Sequence, residues 1–405
     1  MTHTASADIV IAGAGPVGMV AALGLERAGF SVALVGPRPR DDRRTTALMN
    51  PALDYLESLG LPDFGPDEAA PLVTMRIVDG TARLVRSQPV SFRASEIGET
   101  RFGLNIPNTV LNNALRAAVA ARPGIRAVEQ MVAGWMLGDG ATTAHLADGS
   151  AIEAALAVAA DGRRSPARDA AGIRTHVRDY PQSAIVLEFA HTRPHGEIST
   201  EFHTPTGPFT QVPLPGLRSS LVWVVRPEQA DQLMALDDAA LSARVETVMQ
   251  SMLGAVTVQP GRQVYRLGIA STSSVAQRRV ALVGEAAHVI PPIGAQGMNL
   301  GIRDVADLVR VASDFRADPG AEPALAAYRA ARRADILARS GAVDLLNRTL
   351  LSDFLPAQMA RSASLALLAA APPLRGLFMR EGMRPGSGLS GLVSAAREKI
   401  GRQRT

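Results

Sequence analysis

The residue types with chemical potential concentrate in one stretch, Gly284-Glu285-Ala286-Ala287-His288-Val289-Ile290-Pro291-Pro292-Ile293-Gly294-Ala295-Gln296-Gly297-Met298-Asn299-Leu300-Gly301. The apolar run Arg279-Val280-Ala281-Leu282-Val283 reads as a short buried strand that delivers a carboxylate, Glu285, at its end. The Pro291-Pro292 pair forbids regular structure, and Gly294, Gly297 and Gly301 remove side-chain bulk. Apolar periodicity predicts a helix from about Gly297 through Val309. Such a loop is rigid on one side and bare on the other. A flat redox ring fits against it, with backbone groups at the ring edge and the positive helix end facing any negative charge that develops. The stretch is read as a flavin seat.

A second chemical element opens the chain. Asp8-Ile9-Val10-Ile11-Ala12 runs into Gly13-Ala14-Gly15-Pro16-Val17-Gly18, followed by a helix with Ala22, Leu25 and Gly29 and a second strand, Val32-Ala33-Leu34-Val35. GxGxxG in a strand–turn–helix–strand setting lets the backbone approach a pyrophosphate, which the helix N-terminus holds. Gly386-Ser387-Gly388-Leu389-Ser390-Gly391 spells the same pattern without a preceding strand and reads as a flexible turn. The fingerprint expects an acidic residue ~20 positions on, bonded to a ribose hydroxyl; Gly36 stands there. Arg38, Arg43 or Arg44 is the substitute candidate for the adenosine end, beside the alternative of a degraded site that binds nothing.

Other positions carry two readings each. Arg44-Thr45-Thr46-Ala47-Leu48 is expected to begin an amphipathic helix through Leu59, where an arginine at the start is unfavourable unless a pyrophosphate or other anion lies nearby; the alternative is a solvated arginine. Short strands are expected at Val73 to Val78 and Arg83 to Val85. In Asn105-Ile106-Pro107-Asn108, Asn108 is explained as an N-cap for a helix over Leu111 to Ala121, which leaves Asn105 freer for a ligand. Asp161-Gly162 ends the apolar strand Ile152 to Ala160 and repeats the strand-then-carboxylate arrangement, although a plain turn explains Asp-Gly as well.

From Tyr180 to Leu267, the runs Ser183 to Phe189, Ile198 to His203, Phe209 to Val212 and Ser220 to Val225 alternate with Pro/Gly turns and predict an inserted antiparallel sheet. His191, His195 and His203 fall in and beside one such turn without zinc-type spacing and are expected on the solvated surface, with no metal bound. Leu325 to Leu350 and the chain from Phe354 onward read as helical. Leu374, Leu377 and Phe378, flanked by Arg375, Arg380 and Arg384, form an expected interfacial patch, against the alternative of packed core.

Composition bounds the function. The chain has 405 residues, 47% of them hydrophobic and 20% charged, enough for two or three domains with a large core. The absence of cysteine excludes disulfides, thiolate metal sites and thiol catalysis. A net charge of +4, with Lys399 the single lysine and no arginine cluster interleaved with aromatics, gives no nucleic-acid signature. With no signal-like segment before Ala7 and no apolar run of the roughly 18 residues a span needs, a cytoplasmic protein is expected, in peripheral contact with the inner membrane face.

Three patterns in this order, GxGxxG, Asp161-Gly162 after a strand, and Gly284-Glu285 leading into Pro291-Pro292-Ile293-Gly294-Ala295-Gln296-Gly297-Met298-Asn299, resemble the flavin-dependent aromatic hydroxylases of the para-hydroxybenzoate hydroxylase type. Within that group the chain is most similar to the ubiquinone-biosynthesis hydroxylases, through Asn105-Ile106-Pro107-Asn108, Tyr180-Pro181-Gln182, Gly207-Pro208, Leu221-Val222-Trp223, Asn299-Leu300-Gly301-Ile302-Arg303-Asp304, and Leu325, Tyr328, Arg332 and Asp335. The resemblance runs to about Met379. It implies an α/β fold: a Rossmann-type FAD-binding domain with an inserted, mainly antiparallel substrate sheet and a C-terminal helical region. The implied division is 1–72 (FAD-binding, first part), 73–98 (substrate-domain strands), 99–179 (FAD-binding, second part), 180–265 (substrate sheet), 266–315 (FAD-binding, third part) and 316–405 (C-terminal helices).

Carried over position by position, the resemblance assigns FAD to Gly13, Gly15, Pro16, Val17, Gly18, Arg44, Asn105, Asp161, Gly284, Glu285 and the loop Pro292, Gly294, Ala295, Gln296, Gly297, Met298 and Asn299, with Pro292, Gly294 and Gln296 forming the ring environment and no acid or base assigned. Glu285 stands where the family usually has aspartate on a ribityl hydroxyl. NADPH or NADH is the implied electron donor, oxygen the co-substrate, and a flavin C4a-hydroperoxide shielded from water the implied oxidant. Only Tyr55, Tyr180, Tyr265 and Tyr328 exist, and none is expected in the middle strands of the inserted sheet, which speaks against a tyrosine relay for a small phenol. A polyprenylated phenol on the route to ubiquinone is the leading substrate. A small soluble aromatic and a catalytically silent scaffold in a biosynthetic complex are the other readings.

Overall fold

A computed structural model describes residues 4–38, 42–81, 88–291, 296–333 and 371–383. Their strands form four sheets. The first is the nucleotide sheet, ordered Ala276–Gln277, Val280–Leu282, Leu156–Ala159, Ile9–Ala12, Val32–Val35, Ile125–Val128. All its pairs are parallel except the outermost one. Its central strands IVIA, VALV and LAVA are buried at every position, which is what a parallel sheet covered on both faces requires.

One cover is made by the helices Pro16–Arg27 and Gln296–Asp314, packed against each other. The other is a small four-stranded sheet ordered Thr4–Ser6, Ala151–Ala154, Thr142–Leu146, Val132–Leu137. The apolar run 152–160 is thus two strands in two sheets, broken at Ala155, rather than the single strand its hydrophobicity predicts.

The largest sheet is ordered His288–Val289, Gln263–Thr272, Thr175–His191, Arg218–Val225, Gly207–Leu214, Ile198–Thr204, Thr74–Asp79, Val90–Arg93, with Val256–Val258 beside Thr175–His191. It is antiparallel except where Ile198–Thr204 runs parallel to Thr74–Asp79. Side-chain alternation gives it two unlike faces. Phe189, Phe202, Phe209 and Trp223 meet edge-on or pack together under the helices Pro227–Met234 and Asp238–Val248. The opposite face carries Ser220, Val222, Thr210 and Glu201. A three-stranded sheet, ordered Thr45–Met49, Gly103–Pro107, Ala70–Leu72, stands between that face and the nucleotide half.

Several expectations are corrected. Thr45–Met49 is a strand and not the start of a helix: the β-branched Thr45 and Thr46 pair with Gly103–Pro107, and the helix begins at Asn50 with Pro51 in its first turn. Asn105 accordingly lies on a strand, and Asn108 is the first residue of the helix Asn108–Ala120 rather than its cap. Tyr180 lies on Thr175–His191, an interior strand of the large sheet, and Tyr265 on its neighbour Gln263–Thr272.

His191 and His203 are buried, 4% and 5% exposed, rather than solvated. The turn residues Pro194 and Gly196 mark where the strand ends, but both histidines sit on strands whose faces are covered. The expected strand Arg83 to Val85, the expected helical chain from Ala334 to Ala370, and the second glycine-rich pattern at 386–391 lie outside the described residues. Leu374, on the helix Pro372–Met383, is 38% exposed, whereas Met379 on the same helix is buried.

Candidate active site

The glycine pattern folds as a tight strand-to-helix turn because two of its positions admit no side chain. A Cβ on Gly13, at φ +106°, would lie 2.2 Å from the Ala160 carbonyl oxygen; one on Gly18 would lie 1.8 Å from the Gly13 oxygen. Gly15 faces open space. It is the N-cap of Pro16–Arg27, it makes no side-chain cap, and no acidic residue occupies the first turn. Pro16 has no N–H to leave unpaired, while Val17 and the bare backbone around it line the entry.

The other two motifs meet this turn. The Asp161 backbone nitrogen is among the atoms that bar a side chain at Gly13. Gly284, at φ +60°, and Gly301 both pack on Val17: a Cβ at either would come within 3.2 Å or less of the Val17 Cγ2 atom. Residues 13–18, Asp161, Gly284 and Gly301 therefore form one contiguous seat, although they lie far apart along the chain.

Gly36 has a steric cause. A Cβ there would sit 2.5 Å from the Ala14 nitrogen, so the strand end has closed onto the glycine turn and holds no acid. Of the three substitute arginines, Arg38 is exposed and Arg43 reaches the Pro260 carbonyl at 3.4 Å. Arg44 grips Asp42 with two hydrogen bonds of 2.8 and 2.7 Å and lies over the Tyr265 ring, 5.5 Å from its centre. Asp42 also accepts from the Asn108 amide at 2.8 Å. Burial opposes the Asp42 charge, but the bonds from Arg44 and Asn108 outweigh it and hold the carboxyl below its usual range. Arg44 keeps a half-exposed side chain.

Asp161 is different. Its Oδ2 accepts from the Ala167 N–H at 3.4 Å, its Oδ1 is buried without a partner among the described residues, and burial pushes its carboxyl up. An orphaned oxygen of this kind is what a ligand hydroxyl or a bound water satisfies. Glu285, which follows the Gly284 turn, points outward to Arg163 at 3.1 Å, both side chains about half exposed. A cavity of about 160 Å³ lies beside them, lined by Arg163, Asp179, Arg266, Glu285 and Val289 among others.

Pro292, Gly294 and Ala295 lie outside the described residues. Gln296 opens the helix, Gly297 faces open space, and Met298 is half-buried against the core. Asn299 is 5% exposed and clamps the first turn of the helix Gln296–Asp314 to the neighbouring strand: its Oδ1 accepts from the Met49 N–H and its Nδ2 donates to the Ala47 carbonyl, both at 2.9 Å. Asn105 is 1% exposed, and its amide donates to the Pro213 carbonyl at 2.8 Å and the Ser220 hydroxyl at 3.3 Å. It ties the strands of the seat to the large sheet, and Thr45 adds a second bond to Ser220 at 3.0 Å.

One cluster carried no role in the sequence reading. Asp304 is fully buried and accepts from the Gly284 N–H at 2.9 Å, bonds His288 Nε2 at 2.6 Å, and takes Arg332 Nε at 2.8 Å. Arg332 also reaches Asp307 at 2.9 Å, and Tyr328 donates to the Leu282 carbonyl at 2.8 Å. This hub pins the left-handed Gly284 turn from behind. Its signal was available: Asp304 lies four residues from both Leu300 and Leu308, on the buried stripe of its helix, and Arg332 lies four from Tyr328.

The donor set fits an FAD molecule. The open Gly15 surface at a helix N-terminus suits a pyrophosphate, the unpaired Asp161 oxygen suits a hydroxyl or N–H donor, and the bare Gly297 backbone suits a flat ring.

Comparison with known proteins agrees. A family model described as an FAD binding domain matches residues 6–338. Ubiquinone hydroxylase UbiL of Rhodospirillum rubrum is 36% identical over 389 residues, covering 93% of this chain and 89% of that protein. The 3-demethoxyubiquinol 3-hydroxylase of Escherichia coli is 31% identical, covering 94% and 98%. The crystal structure of p-nitrophenol 4-monooxygenase PnpA from Pseudomonas putida superposes with a TM-score of 0.77 at 20% identity, covering 96% of this chain and 98% of that one, which shows a shared fold.

Proposed function

The chain belongs to the FAD-binding-domain family that includes the ubiquinone hydroxylases, and from that premise we propose that it is an FAD-dependent monooxygenase acting on a polyprenylated phenol in ubiquinone biosynthesis, with NADPH or NADH as electron donor. The observation that carries the enzyme reading is the convergence of the three motifs on one glycine-walled seat. Bound FAD supplies hydride uptake from the nicotinamide and activation of oxygen. Gly13, Gly15 and Gly18 would hold its pyrophosphate, Asp161 and Glu285 stand at the ends of two adjacent parallel strands, and Asn299 fixes the start of the helix Gln296–Asp314.

No paired-carboxylate or nucleophile–base constellation is required of such a site. Its remaining tasks are exclusion of water and orientation of the aromatic ring. The prenylated substrate class is supported by the relatives' activities and by an apolar, methionine-rich cluster, Met49, Met75, Ile77 and Met379, on the strands beside the sheet face that carries Val222 and Val224. Methionine adapts to a long flexible chain better than branched side chains do. Peripheral contact with a membrane, supported by the exposed Leu374, is the matching proposal for how such a substrate arrives.

The test is the absorbance spectrum of the purified protein, followed by NAD(P)H and oxygen consumption with and without an ortho-prenylated phenol. A yellow protein whose NAD(P)H oxidation the prenylphenol stimulates, with one hydroxylated product per oxygen consumed, is the expected result. Stimulation by simple phenols alone would replace the prenylated reading with a soluble substrate.

A further inference from the structure

The face of the large sheet turned toward the nucleotide half is recognised by Ser220, whose hydroxyl meets Thr45 and Asn105 from the intervening strands. Alternation and register extend that face sideways: Ser220 and Val222 share it, Val222 lies opposite Thr210, Thr210 opposite Glu201, and Glu201 opposite Ile77 of the parallel neighbour. Phe202, Phe209 and Trp223, the alternate residues, are under the helices on the other side. Glu201 and His203 are therefore on the sheet face turned toward the nucleotide half. Their side chains are 17% and 6% exposed.

Their surroundings are apolar on both flanks. Ile77 joins Met75, Phe92 and Met379 on one side; Val222 joins Val224, Ala184 and Leu267 on the other. Within this row the pair is nearly self-contained. His203 Nε2 bonds Glu201 Oε1 at 2.9 Å, and among the described residues Glu201 Oε2 takes a single long bond, from the Thr210 hydroxyl at 3.3 Å. A carboxylate in such a setting is costly unless its lone pairs are filled. Oε2 has capacity to spare.

We propose that Glu201 is the specificity-determining group for the aromatic ring: its Oε2 accepts the hydrogen bond of the substrate's phenol hydroxyl, and His203 is the positioning residue that fixes the carboxylate. The assignment rests on the proposed prenylphenol substrate and deepens it. An ortho-prenylated phenol presents one donor on an otherwise apolar body, which matches one acceptor between two apolar clusters. A site built to pair a hydroxyl rejects the analogue that lacks it, because the acceptor is then buried unpaired.

The experiment uses the FAD-loaded full chain with ortho-farnesylphenol and its O-methyl ether, reading Kd from the ligand-induced change in the flavin spectrum and kcat and KM from NAD(P)H oxidation. The wild type is expected to prefer the phenol by about 10-fold or more, the loss typical of a hydrogen bond to a charged group. Glu201→Gln and His203→Gln are expected to lower that preference to about 3-fold or less, raising KM for the phenol while FAD content stays unchanged. Thr210→Val, which removes the competing donor without touching the pair, is expected to keep or increase the preference, and it decides the matter if the other variants fail to fold. An undiminished preference in Glu201→Gln, or no preference in the wild type, overturns the assignment. A wild type that responds to neither compound overturns the proposed substrate itself.

Discussion

The nucleotide seat and the inward face of the large sheet are built from different materials. In the seat the surface is backbone: Gly13, Gly18 and Gly284 are glycine because a neighbouring carbonyl or Val17 occupies the place of a Cβ. On the sheet the surface is side chain, Val222, Thr210, Glu201 and Met75, carried on strands whose backbone hydrogen bonds do not depend on those side chains. The seat is thus rigid and intolerant, while the sheet face can change its specificity without changing its fold.

The largest effect should come from breaking the backbone side of the contrast. Gly18→Ala puts a methyl 1.8 Å from a carbonyl oxygen and is expected to cost more than about 4 kcal/mol, giving colourless or insoluble protein. Gly15→Ala, facing open space, should keep the fold and weaken only FAD binding. On the sheet, Val222→Ala should stay yellow and change KM alone. Flavin absorbance and thermal melting check the two glycine variants, NAD(P)H oxidation kinetics check Val222→Ala, and a soluble, yellow Gly18→Ala protein would break the distinction.

A smaller loss sharpens it, because the seat also depends on buried side chains behind its turn. Arg332→Met leaves Asp304 fully buried with one cationic partner fewer and is expected to cost about 3–5 kcal/mol of stability, measured by denaturant unfolding of the holoenzyme. Arg332→Met combined with Asp304→Leu should recover part of that loss if the charge, and not the packing, is at fault.

The smallest effect is a pH dependence at Asp161. Burial raises its carboxyl, so its contribution favours the folded state fully below about pH 4, where the carboxyl of the unfolded chain is also protonated, and is lost as pH rises through the folded value. Asp161→Asn should therefore match the wild-type apoprotein's Tm near pH 4 and exceed it by a few degrees at pH 7. Equal Tm differences at both values would show that the orphaned oxygen carries no penalty.

Much of this was legible from the chain alone. Close approach of backbone to backbone demands glycine, and a buried parallel strand demands a continuous apolar run, so Gly13, Gly18, Gly284 and the strands IVIA, VALV and LAVA announce themselves locally. The strand-then-carboxylate pattern singled out Asp161 and Glu285, and the family resemblance added their roles. Thr45–Met49 misled because its residues suit helix and strand alike, and the choice lay with a distant partner strand, Gly103–Pro107.

The sequence by itself determined that a dinucleotide seat exists and which glycines wall it, since those requirements are steric and local. Tertiary structure alone decided that Gly36 is closed against Ala14, that Asp304, His288 and Arg332 meet behind the turn, and that Glu201 and His203 lie on the sheet face turned toward the nucleotide half. Those facts depend on strand register and on which face of a helix is covered. A shift of one residue in register would turn the carboxylate of Glu201 to the opposite side of the sheet, and no local pattern records it.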